Sequence, residues 1–145
     1  MALDPPDLLA RAGDHAVPGD ELARLAAPLL APARLRARAP HDVAALAALA
    51  SNPNAPPELL FSLAPAYAPQ VASNPALVLL LLENPALLVN APFTALRSLL
   101  ARPELPLEWL EQGARHSNYH LRFVAAESRR LAPSTLRLLA NDPHV

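Results

Sequence analysis

The sequence predicts an all-α protein, a solenoid of short helices, and three observations predict it. Alanine and leucine supply 31 residues each of 145, while isoleucine and lysine are absent. With only 7 valines and 6 aromatic residues against them, helix formers outweigh strand formers. The 18 prolines forbid long helices, because each removes a backbone N–H and collides with the preceding turn. Finally, the chain repeats itself: Ser51-Asn52-Pro53 returns as Ser73-Asn74-Pro75, both after alanine, and self-similarity on this scale marks stacked helical units.

The elements follow in order. Asp4-Pro5-Pro6-Asp7 opens a first helix, with Asp4 placed to cap it, Pro5 at its first position and Asp7 near its positive end. Gly13 closes it. Pro18-Gly19-Asp20-Glu21 starts a second helix, carrying Leu22, Leu25, Leu29 and Leu30 at helical spacing, which Pro28 and Pro32 are expected to kink or split. A third begins near Asp42, with Val43, Leu46, Leu49 and Ala50 on one apolar face. Residues 1–41 therefore read as an N-terminal helical cap and 42–145 as one continuous repeat-bearing domain.

Within 42–145 the marks Asn52-Pro53, Asn74-Pro75, Asn84-Pro85, Arg102-Pro103 and Asp142-Pro143 each end one helix and begin another. A residue before proline is pushed out of the α region, and Asn or Asp there can cap the next turn. Proline-led segments follow at Pro56, Pro92, Pro106 and Pro133. None is long enough to stand alone in water, so they must shelter one another.

Several chemistries are unsupported by composition. The formal charge is −1, which exerts no overall pull on nucleic acid or anionic lipid. The absence of cysteine removes disulfides, thiolate metal sites and cysteine nucleophiles. The apolar run Ala76 to Leu82 stops at Glu83, far short of the ~20 residues that span a bilayer. Met1–Ala10 has no basic-then-apolar leader, so a cytoplasmic protein without membrane insertion is expected.

The C-terminal pattern resembles the variant leucine-rich repeat family. Leu121-Arg122-Phe123-Val124-Ala125-Ala126-Glu127-Ser128 is similar to the family's Val-Arg half-repeat. Ala132-Pro133, Leu136 and Leu139-Ala140-Asn141-Asp142-Pro143 follow its leucine half, and Val43 to Pro53 with Pro56 to Ala64 make another pair. The resemblance covers about residues 42–145 and implies a right-handed stack alternating short α with 3₁₀-like helices. It implies no catalytic residue. The uneven proline spacing between 65 and 103 departs from the pattern and makes the repeats degenerate.

Candidate sites are few. His116 and His120 have the i,i+4 spacing of a metal pair but no third ligand at a telling distance, so no metal is expected. Glu108 and Glu111 form an acid pair that reads as a solvated face. No Gly-x-Ser-x-Gly elbow or phosphate-binding glycine loop is present, and no cofactor or enzymatic activity is expected. Arg115, Arg129, Arg130 and Arg137, with Arg122, give the C-terminal part a local positive charge that suits anions.

Charge almost vanishes between Ala39 and Leu96, and Leu77 to Leu82 leaves no polar face on its helix. Such a helix is either wrapped by neighbours or meets another chain. The expected function is a non-catalytic protein–protein interaction module, a small adaptor or scaffold subunit binding another protein or itself. Its expected contact residues are Leu79, Leu80, Leu87, Leu88, Trp109, Tyr119 and Arg122. The alternative is a nucleic-acid-binding helical repeat that uses the arginine-rich face.

Overall fold

A computed structural model describes residues 3–31 and 38–145, apart from the side chains of Leu88 and Val89. All regular structure among the described residues is helical: α1 (Pro5–Gly13), α2 (Gly19–Leu30), α3 (Pro40–Ser51), α4 (Pro57–Ala72), α5 (Pro75–Glu83), α6 (Ala86–Asn90), α7 (Phe93–Leu100), α8 (Leu107–Ala114), α9 (Tyr119–Ala126) and α10 (Pro133–Ala140). No strand occurs among them. Nor does a 3₁₀ segment: bonds between residues three apart occur instead at helix ends and in turns, as from Asn52 N–H to Leu49 O at 3.2 Å. No helix among the described residues is long and apolar enough to cross a membrane.

Proline sets the starts. Pro5, Pro40, Pro57, Pro75 and Pro133 sit in first turns, where a missing N–H leaves nothing unsatisfied. Pro18, Pro56, Pro92 and Pro106 occupy N-caps. Asp4 holds the N-cap of α1 as expected, yet its side chain makes no capping bond. Pro28 does not split α2, because it lies in the last turn with two residues left to run. Pro32 lies outside the described residues. The segment led by Pro56 and Pro57 reaches Ala72, but the non-helical Tyr67 (φ −126°, ψ 37°) kinks it between Pro65 and Pro69 into two short helices, counted together as α4.

Packing runs along the chain. α1 rests on α2 and α3, α3 on α4, α4 on α5 and α7, α7 on α9, and α8 on α9 and α10. Leu46, Leu60, Leu77, Leu99 and Leu110 are among the fully buried leucines. In α3 the inward stripe is Ala45, Leu46, Leu49 and Ala50, together with Asp42. Val43, expected on that face, is exposed, because the buried stripe turns toward Asp42 and Ala45 and leaves Val43 outside its edge.

One device recurs at the turns between helices. At several of them a polar residue accepts the N–H two residues on: Asp14 from Ala16, Asn52 from Asn54, Asn74 from Ala76 and Asn84 from Ala86, and after α10 Asp142 does so from His144. Buried Asn52 and Asn74 do more. The Asn52 carboxamide donates to Ala12 O (2.9 Å) and Asp14 O (3.0 Å), and that of Asn74 to Ala50 O and Asn52 O (both 2.9 Å). Each asparagine thus ties its own turn to an earlier one through two carbonyls spaced two residues apart. Further on, arginine takes over: Arg130 donates to Arg102 O and Leu105 O, and Arg122 to His116 O, Ser117 O and the Asp142 carboxylate.

Candidate interaction surface

The all-apolar helix α5 divides between core and solvent. Asn74 caps it, Pro75 fixes its first turn, and Glu83 ends it. Ala76, Leu77 and Leu81 are buried, while Val78 and Leu80 are half-buried against the core. Leu79 is 60% exposed and Leu82 is 68% exposed, an i,i+3 pair that faces water together. Leu79, one of the expected contact residues, is thus open to solvent. Leu80 and Leu87 are not, since both lean on the core and expose only part of themselves. The Leu88 side chain lies outside the described residues. Leu82, the most exposed large apolar residue described, was missed because it borders Glu83 and reads as a helix end.

A second exposed patch joins α7 to α9. The Tyr119 ring, 46% exposed as a residue, lies 3.9 Å from the His120 ring and 5.6 Å from that of His144. His120 in turn lies 5.5 Å from Phe93. Sequence spacing finds Tyr119 but not Phe93, because only the packing of α9 on α7 brings them together. His116 precedes α9, so it does not share a helix face with His120, and no three potential metal ligands cluster among the described residues.

Trp109 is 8% exposed, so it is not the broad contact surface expected. Its large ring is drawn inward where α8 packs on α9, and only part of it lines a pocket of about 250 Å³. Pro85, Leu100 and Leu121 form the other apolar walls, with Gln112, Gly113 and His116 beside them. A wider hollow of about 740 Å³ shares Gln112 and His116 and extends past Glu108, Glu111 and Arg115.

The arginines are mostly spoken for. Arg115 pairs with Glu111 (3.0 Å), Arg97 with Glu127 (3.0 Å), Arg102 with Glu104 (2.9 Å), and Arg122 is held by Asp142. Arg122 is consequently half-buried and serves a turn, not a partner surface. Arg130 is committed to backbone carbonyls. Arg129 and Arg137 remain exposed, with no side-chain partner among the described residues. The arginines alone overstate the positive charge of the C-terminal part, because Glu111 and Asp142 pair with Arg115 and Arg122.

These contacts hold the acids ionised. Hydrogen bonding from the Thr135 hydroxyl, then from the Ala132 N–H, lowers the Glu111 carboxyl below its ordinary range. Asp142 is lowered by Arg122 and the His144 N–H, and Glu104 by its side-chain bond to Arg102. No family model, no curated protein and no solved structure matches this chain.

Proposed function

We propose that the chain is a right-handed solenoid of degenerate variant leucine-rich repeats, and that it serves as a non-catalytic adaptor or scaffold subunit in the cytoplasm. The stacking is supported by the turn-to-turn ties of Asn52, Asn74 and Arg130, and by Arg122, which joins the turn before α9 to Asp142 after α10. The single observation that carries the function is the outward pair Leu79 and Leu82 on a helix without a charge before Glu83. Covering such aliphatic surface yields about 25 cal/mol per Å². Tyr119 and Phe93 add an aromatic neighbourhood of the kind enriched at interface centres.

Replacing Leu79 and Leu82 together by Asp tests this. Helical circular dichroism is expected to stay unchanged, since both side chains face water, while self-association or partner capture by the native chain is lost. A double variant that assembles and captures as the native chain does would end the proposal. Phosphate binding would rest on Arg129 and Arg137, so the nucleic-acid reading requires a shallow salt slope, about −2 in log–log terms. Binding of a nucleic acid with that slope would favour it over the adaptor reading, and no measurable binding or salt dependence would end it.

A further inference from the structure

We propose that the pocket beside Trp109 and the hollow adjoining it form one groove for an extended peptide segment, one that carries a bulky aliphatic side chain followed by an arginine or lysine. This goes beyond the exposed leucine pair of α5 and can fail or stand without it. The apolar end has Leu100, Leu121, Pro85 and part of Trp109 for walls. Its volume, about 250 Å³, falls below the ~300–1,000 Å³ of sites for drug-sized ligands, and suits a single side chain.

The polar groups shared by the two hollows suit a peptide backbone. His116 Nδ1 accepts the Asn118 N–H at 2.9 Å, so in the neutral ring the proton sits on Nε2 and is available to a carbonyl. The Gln112 carboxamide offers both a donor and an acceptor, and neither it nor His116 Nε2 has a partner among the described residues. Further out, Arg115 and Glu111 neutralise one another, and Glu111 also accepts from Thr135 (2.6 Å) and Ala132 N–H (3.2 Å). Glu108 is exposed and has no side-chain partner among the described residues, so the groove keeps one uncompensated negative charge. An aliphatic anchor with a cation beside it complements this sequence of surfaces.

The chain supplies its own probe, because Trp109 is the only tryptophan and lines the pocket. Its emission is read while the full chain is titrated with N-acetyl-Leu-Arg-amide, N-acetyl-Leu-Glu-amide, N-acetyl-Ala-Arg-amide and 1-hexanol. Leu-Arg is expected to give a saturable change, with Ala-Arg and Leu-Glu each weaker by roughly tenfold. Glu108→Arg should reverse the order of Leu-Arg and Leu-Glu. Gly113 provides an internal control, since a Cβ there would lie 3.7 Å from Ala125 Cβ and 4.0 Å from Leu100 Cδ1, ordinary contacts. Gly113→Ala should therefore raise Tm by about 3 °C through helix propensity, yet weaken Leu-Arg binding by roughly tenfold as its methyl fills the pocket.

The proposal is overturned if no peptide gives a saturable change, or if Leu-Glu binds the native chain as well as Leu-Arg. Saturation by hexanol with no response to any peptide would make the pocket a small-molecule site, which also overturns it. None of these readouts involves Leu79 or Leu82, so the adaptor reading is judged separately.

Discussion

Asn74 and Asn84 look equivalent in the sequence, since each precedes a proline and each caps the helix that follows. The fold separates them. Asn74 is 1% exposed and gives both amide hydrogens to carbonyls of the preceding turn, whereas Asn84 is exposed and only accepts from Ala86 N–H. Converting the carboxamide to a carboxylate keeps the acceptor and loses the donor. Asn74→Asp should therefore place a charge against two carbonyl oxygens and lower stability by about 3 kcal/mol in denaturant unfolding. Asn84→Asp should stay within about 0.5 kcal/mol of the native chain. Equal effects at the two positions would show that the ties do not carry the turns. The capping role was legible from Asn-Pro alone. The donor role was not, because its acceptors lie 22 and 24 residues away and are backbone atoms with no sequence signature.

Among elements, α5 shows how far hydrophobic pattern reaches. Its residues are apolar on every side, so periodicity cannot say which leucines face inward. Contact with α4 and α6 decides, burying Leu77 and Leu81 and leaving Leu79 and Leu82 outside. Leu81→Ala should cost about 3 kcal/mol, while its neighbour Leu82→Ala should change stability by no more than about 0.5 kcal/mol. Chemical denaturation of the two variants checks this, and a large loss at Leu82 would mean that the helix is turned differently. Helix starts were far more legible than helix faces, because proline acts locally on its own backbone. α4 is the partial exception: its first half runs through Pro65, and the non-helical Tyr67 then divides it before Pro69. Its buried Leu63, Ala64, Tyr67 and Val71 keep the bent helix in the core despite the lost backbone bonds.

On the scale of the whole molecule, the turns are joined by two kinds of chemistry. In the N-terminal part the ties are asparagine carboxamides, which do not titrate. In the C-terminal part they include Arg122 to Asp142 and Glu111 to Thr135 and Ala132, with Arg102 to Glu104 beside them. The three acids are held below their ordinary range in the folded chain. A depressed carboxyl contributes stability that is complete above its unfolded value, about 4, and is lost as pH falls through the lower folded value. Acidification below pH ~4 should thus weaken α8, α9 and α10 before α3 and α4. Amide hydrogen exchange at pH 3 against pH 6, corrected for intrinsic rates, reads this directly. Protection should fall more in 107–140 than in 40–72, and Asp142→Asn should reduce the contrast, because the group it replaces no longer titrates. A uniform loss of protection would mean that the stack opens as one unit, and that the change from asparagine to carboxylate ties along the chain has no energetic consequence.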